Sequence, residues 1–256
     1  MSTQVHPDIS EQQVRAISEA HDEPDWLLET RLEALDALDD LEMPDVITTP
    51  GPRHWTNLTD LDYEELVDPD SQAEDKEWVD AEGADVLSFH EAIEREESLV
   101  RDRFGSVVDP QRNYLTALST ALFTTGTVIV VPENTAAEDV KIRTTMNSRS
   151  LFNYTLVVAE RSGEATILER QSTGDEAGEE VAGHRYYSGI VEIAAEDNAH
   201  VQYGTLQNLS EDTYNFQVKR GHAGDDATVN FVDGNLGSRL TKTSVETRLL
   251  GEASET

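Results

Sequence analysis

The sequence predicts a mainly β chain, with a β-solenoid core over residues 126–256 behind a small α-helical N-terminal part. Three observations predict it. After Gly126 the apolar period changes from about 3.6 residues to about 2. No helical pattern of useful length interrupts residues 127–256. Tight turns ending in alanine recur through the second half. Four segments result: helical residues 1–43, an acidic proline-containing linker over 44–84, a helical pair at 85–125 leading into the core, and the core itself.

The first segment opens on Ser10 and Gln13, the pair of a capping box. Pro24 stands where a first helical residue belongs, and Trp26, Leu27, Leu28, Leu32, Leu35 and Leu38 follow at helical spacing until Pro44 closes the element. Pro50, Pro52 and Pro69 among scattered acids give the linker little regular structure. Ser88 and Glu91 cap a second helix whose apolar face is Phe89, Ile93, Val100 and Phe104. A third is expected from Asp109-Pro110, carrying Tyr114, Leu115, Leu118 and Leu122, with Gly126 as its stop.

Nine short strands come after it: 127–131, 140–144, 154–159, 165–168, 190–193, 201–205, 214–218, 229–232 and 243–247. Gly163-Glu164-Ala165, Asp197-Asn198-Ala199, Asp225-Asp226-Ala227 and Gly251-Glu252-Ala253 form a repeated turn whose alanines lie 34, 28 and 26 residues apart. Two strands per unequal repeat suit a solenoid better than a propeller, whose blades need four; a β-sandwich stays open as the alternative. The fourth turn is followed by only three residues, so the chain is expected to continue past Thr256.

Composition excludes more than it assigns. Fifty-two acids against nineteen bases leave a formal charge of −33, which opposes compaction unless salt screens it. The plainest reading is a cytosolic protein of a high-salt organism. No Lys/Arg cluster is present to neutralise phosphates, which disfavours nucleic-acid binding. The absence of cysteine removes thiolate catalysis, disulfides and any cluster anchored on this segment's own thiols. No signal-peptide pattern and no membrane-length apolar run are visible. Histidines 6, 21, 54, 90, 184, 200 and 222 are scattered without the spacing of a helical metal site, so each reads as a surface residue. Gly234-Asn235-Leu236-Gly237-Ser238 lacks the frame of a phosphate loop and reads as a turn between strands. No nucleophile arrangement is present either, and nothing argues for an enzyme.

Several stretches together resemble the SufB/SufD family of SUF iron–sulfur cluster assembly scaffolds. They are ISEAHDEPDWLLETRLEAL at 17–35, YLTALSTALFTTGTVIVVP at 114–132, NYTLVVAE at 153–160 with Asn153, LQNLSEDTYNFQVKRG at 206–221 with Asn208, Tyr214 and Asn215, and DGNLGSRLT at 233–241 with Gly234, Asn235, Gly237 and Ser238. The resemblance implies a right-handed parallel β-helix behind a helical domain. It implies a non-catalytic subunit that pairs with a SufB-like chain and binds a SufC-like ATPase through a region beyond Thr256. It implies no cofactor held by this segment, the iron–sulfur cluster belonging to the complex. With the acid excess, it suggests a halophilic archaeal source. Where SufB-type chains carry a sulfur-accepting cysteine, this chain has Gln171 within Leu168-Glu169-Arg170-Gln171-Ser172, which points to the SufD branch. Arg143, Thr205, Gln207 and Lys219 resemble the polar lining of a SufB interior, with strand polarity as the plainer reading. The EPxW segment keeps a SufB-like scaffold as the alternative. A β-helix carbohydrate-active enzyme and an adhesive solenoid are the rivals from other classes.

Overall fold

The computed structural model describes residues 9–42, 76–79 (as backbone), 82–174 and 184–256. Helix α1 (Glu11–Ala20) begins at the expected box: the Ser10 hydroxyl accepts from the Gln13 N–H, and the Gln13 side chain accepts from the Ser10 N–H. Helix α2 (Asp25–Ala37) has Pro24 as its N-cap and not as its first residue. It ends well before Pro44, which lies outside the described residues along with most of the expected linker. Helix α3 (Phe89–Arg103) starts on the Ser88/Glu91 box. Helix α4 (Tyr114–Leu122) starts later than Asp109-Pro110 because Asn113 is the residue that caps it, exchanging hydrogen bonds with Thr116.

Gly126 is not the helix stop. The backbone turns extended at Phe123, and Gly126 lies within the first solenoid strand. A Cβ on Gly126 would sit 2.8 Å from the Tyr154 carbonyl oxygen and 2.9 Å from Phe89 Cβ, so glycine is required for close packing of helix against strand.

Two strands were not anticipated: β1 (Lys76–Val79), inside the expected linker, and β2 (Asp85–Ser88), just before α3. The nine expected strands are all present and all longer than their apolar runs. They are β3 (Thr125–Val131), β4 (Ala136–Met146), β5 (Ser150–Ala159), β6 (Glu164–Thr173), β7 (Arg185–Ala195), β8 (His200–Asn208), β9 (Thr213–Ala223), β10 (Thr228–Asn235) and β11 (Leu240–Leu249).

Successive strands alternate between two sheets, ordered β1-β4-β6-β8-β10 and β11-β9-β7-β5-β3-β2. Every pairing among β3 to β11 is parallel; only β1 on β4 and β2 on β3 are antiparallel. The result is a parallel β-solenoid of about four turns. It replaces the sandwich alternative, whose sheets would be antiparallel.

One corner of the solenoid explains the repeat. Asn134, Ser162, Asn198, Asp226 and Ala253 all have positive φ, and each of the first four donates its N–H to a carbonyl of the next turn at 2.7–3.1 Å. Asparagine and aspartate tolerate this conformation, which is why the turns read as Asn/Asp-rich. The register corrects the alignment of the alanines. His200 pairs with Thr228, so Ala199 and Ala227 are equivalent, but Ala165 pairs with Val201, two residues further on.

Burial separates the two sheets. Every residue of β5 and β7 is buried, because one face of their sheet lines the solenoid and the other carries the helices. On the helix side Phe89, Phe104, Phe123 and Tyr154 pack ring to ring at 4.7–5.9 Å between centroids. Strand β6 instead alternates buried and exposed, its outer face open to solvent.

Candidate functional site

Inside the solenoid, pairing register stacks equivalent residues in columns. The interior is apolar toward the Asn/Asp corner, where Ile129, Val140, Val157, Ile167, Ile193 and Val201 of three successive turns form one core. Toward the opposite corner the columns turn polar. Ile142 is followed by Glu169, Thr205 and Asp233; Thr144 by Gln171, Gln207 and Asn235. From the facing sheet come Asn153, Gly189 and Gln217 in one column, and Thr155, Val191 and Lys219 in the next.

Glu169 is the centre of this interior. It is fully buried, and its carboxylate accepts four hydrogen bonds: from Thr144 Oγ1 at 2.8 Å, Asn153 Nδ2 at 3.3 Å, Gln171 Nε2 at 3.1 Å and the Tyr203 hydroxyl at 2.9 Å. A buried carboxylate without such donors would cost several kcal/mol, of the order of ~3–5. Burial, and then the negative charge of Glu169, push the Tyr203 and Tyr187 phenols well above their ordinary range, so both stay neutral.

Lys219, one turn further on, is also fully buried. Its ammonium donates to Thr205 Oγ1 at 2.6 Å, forms an ion pair with Asp233 and lies 5.8 Å from the centre of the Tyr203 ring. Between these charges runs a chain of amides and hydroxyls. Gln217 Nε2 donates to Gln171 Oε1 at 2.9 Å and Asn215 Oδ1 at 3.1 Å. Asn215 and Gln207 both donate to Thr241 Oγ1. Asn153 Oδ1 is buried with no hydrogen-bonding partner among the described residues.

Four of the five positions compared with a SufB interior therefore face inward: Gln171, Thr205, Gln207 and Lys219. Arg143 does not. It is exposed on the outer face, because strand alternation turns its neighbours Ile142 and Thr144 inward. Of the motif residues, Asn153 and Asn215 line the interior, Asn208 and Gly234 lie on the outer face, and Asn235, last in the column of Gln207, is exposed. Tyr214 lies on the helix side, half-buried, edge-on to His184 and accepting from Arg239 Nε at 3.1 Å. The 234–238 segment is a turn from β10 to β11. The Gly237 N–H donates to Gln207 Oε1 at 3.0 Å, a Cβ on Gly237 would clash with the Leu209 carbonyl, and Ser238 has φ 72°.

The histidines are less scattered than their spacing suggests. His21 and His90 stack at 4.1 Å beside Glu23, and burial followed by the neighbouring His90 lowers the His21 pKa. The Glu23 and Arg31 side chains are fully buried, paired at 2.6 Å. Arg31 also donates to the Thr120 and Ala121 carbonyls and lies over Phe123, tying α2 to the end of α4. Among the described residues no group of three or more potential ligands could hold a metal ion, and no helix is long and apolar enough to cross a membrane.

Comparison with known proteins addresses the solenoid directly. Residues 142–256 match the family model for the SUF system FeS cluster assembly SufBD core domain. This segment, a little under half of the chain, is similar to that family's core domain. The SufBD core so defined starts inside β4 and takes in Thr144, Glu169, Tyr203 and Lys219. Iron-sulfur cluster assembly SufBD family proteins of Staphylococcus haemolyticus and Staphylococcus epidermidis are each 26% identical over 287 residues, covering 96% of this chain and 61% of the relative. One of Staphylococcus aureus is 26% identical over the same length. The chain thus spans about three fifths of the length of the curated relatives it matches. Their SufBD membership gives the carbohydrate-active reading no support.

Proposed function

We propose that this chain is a SufD-like scaffold subunit of a SUF complex. In that role it forms no covalent intermediate, and a nascent iron–sulfur cluster is cargo of the assembled complex. The observation that carries the reading is the position of Gln171. It lies inside the SufBD core, 1% exposed, hydrogen-bonded to Glu169 and Gln217, where a SufB-type chain would place its sulfur acceptor. An amide offers no thiolate, and none of the 256 residues is a cysteine. The expected partners are a SufB-like chain and a SufC-like ATPase. A SufB-like role is favoured by one observation, the survival of Thr205, Gln207 and Lys219 as buried interior residues.

Co-expression of the full-length protein with a SufB-like chain and an ATP-binding-cassette ATPase tests the assignment. The expected result is a stable ternary complex that carries a cluster, with no cluster on the isolated subunit. A subunit that remains alone in the presence of both would sink the reading. Cluster assembly by a complex in which this chain replaces the SufB-like subunit would select the alternative.

A further inference from the structure

On the helix side of β9 and β11 three guanidinium groups share one carboxylate. Parallel register sets Arg220 beside Glu246 and His222 beside Arg248, and Arg112 reaches them from the segment before α4. Arg112 donates to Glu246 Oε2 at 2.9 Å, and Arg248 Nε donates to Glu246 Oε1 at 3.1 Å. Arg220 is 6% exposed. Its terminal nitrogens are held by the Lys219 and Ser244 carbonyls and the Ser244 hydroxyl. Its Nε has no hydrogen-bonding partner among the described residues and stands 3.6 Å from Glu246 Oε2, too far for a hydrogen bond. His222 Nε2 is likewise buried without a partner among them. Burial, and then the Arg112 charge, hold the Arg220 guanidinium below its ordinary value.

The other acids near the cluster are engaged elsewhere. Glu192, next to Arg220 in register, turns to the Gly105 and Val108 N–H groups and keeps its proton below about pH 8. Glu196 is paired with Arg103, and Asp109 accepts from the Gln111 N–H. Lys242, two rows before Glu246, shares a groove with Glu42. Three guanidinium charges therefore face one carboxylate, a positive spot in a chain of formal charge −33. An ion pair that served packing alone needs one cation, and the further two repel each other. We infer that this cluster binds a phosphate dianion, free or as a monoester. Two negative charges balance the surplus, and guanidinium donors from three chain segments suit an ion with several acceptor oxygens. Beside His222 lies a groove of about 700 Å³ with room for the rest of an ester. Its lining carries Glu133, Glu160, Glu196 and Asp197, with Arg103 and Arg161 already paired to Glu196 and Glu133, so it repels a polyanion. Glu246 is then the internal competitor of the ligand. The inference does not depend on the scaffold assignment.

Isothermal titration calorimetry of the full-length protein at about pH 7.5 and constant ionic strength tests it, with inorganic phosphate and glycerol 3-phosphate as separate ligands. The expected result is saturable binding of one equivalent, with a Kd of about 1 mM or tighter. Tighter binding of the ester identifies a monoester as the ligand, and tighter binding of the free ion identifies inorganic phosphate. Arg248→Ala should weaken binding about tenfold, with Arg112→Ala as the second variant should the first fail to fold. Arg170→Ala removes an exposed charge from the other sheet and should leave binding unchanged. Glu246→Gln removes the competing carboxylate and should tighten binding about tenfold, which loss of a purely structural ion pair would not do. No saturable binding, a Kd that the Arg248 and Arg112 variants leave intact, or equal weakening by Arg170→Ala would overturn the inference. So would weaker binding by Glu246→Gln, or a polyphosphate that binds more tightly than either ligand.

Discussion

Replacing Glu192 with glutamine removes a buried titrating group at the junction of helices and solenoid. Glu192 projects from β7 toward the helices, where its carboxylate accepts from the Val108 N–H at 2.7 Å and the Gly105 N–H at 3.1 Å. Burial pushes its carboxyl from 4.5 up to about 8, against the opposing pull of those N–H groups and of Tyr154. The native state therefore holds a proton that the unfolded chain releases. Stability from this group is complete below pH 4.5, falls as pH rises, and is lost by about pH 8. At about 1.4 kcal/mol per pH unit, the loss across that window is up to about 5 kcal/mol. Glu192→Gln keeps an acceptor for Val108 but turns an amide N–H toward Gly105, a cost near 1 kcal/mol that does not depend on pH. The variant should be about 1 kcal/mol less stable than wild type at pH 4.5 and more stable at pH 8, so the two curves cross. Urea unfolding at constant high salt, repeated at half-unit intervals from pH 4.5 to pH 9, measures both curves. Parallel curves, or a variant less stable throughout, would refute the reasoning.

Two other expectations concern single buried groups. Burial raises the Glu23 carboxyl, but His90 and the Arg31 guanidinium outweigh it and bring it down to about 2, so this group stabilises the fold above pH 4.5 and ceases to as pH falls through about 2. Arg31→Ala leaves that carboxylate buried without its cation and should cost about 3–5 kcal/mol near neutral pH, read as a drop in melting temperature that Arg31→Lys only partly restores. Gln171→Cys should fold and place its thiol among Glu169, Tyr203 and Gln217, protected from a disulfide reagent until the protein unfolds. Labelling of the native variant as fast as of the unfolded chain would show that the interior is open to solutes.

The sequence located the solenoid because its signals are local. Alternation marked the strands, and Asn198 and Asp226 marked the corner whose left-handed backbone the turns require, though the equivalent Asn134 went unread. Helix starts were legible at Ser10 and Ser88, where cap and partner lie three residues apart, but not at Asn113, which caps through Thr116 and not through Glu or Gln. Strands β1 and β2 were not legible, since four residues carry little periodicity and their partners lie far along the chain. Strand lengths failed for another reason. The apolar run of β6 stops at Leu168, yet the strand goes on to Thr173, because inward positions 169 and 171 are Glu and Gln. Continuing the alternation from Ala165 and Ile167 would have found Glu169, which one acid among 52 could not announce. The same parity test separates Arg143 from Thr144.

What that interior costs bears on what it is for. Stacked Val and Ile would join successive turns without any need for paired polar partners, and buried ionic groups are often replaceable by apolar ones with no loss of stability. This chain does the reverse: Ile142 gives way to Glu169, Thr205 and Asp233, and Thr155 and Val191 to Lys219. The two buried charges are satisfied by groups from neighbouring strands or turns: Glu169 relies on Thr144, Asn153 and Tyr203, and Lys219 on Thr205 and Asp233. Removing one member orphans several, which makes the set costly to lose piecemeal. Packing alone does not call for such an arrangement. Such polarity, in a chain without a single thiol, is what the proposed SufD-like role would need: a scaffold interior that lacks a sulfur nucleophile.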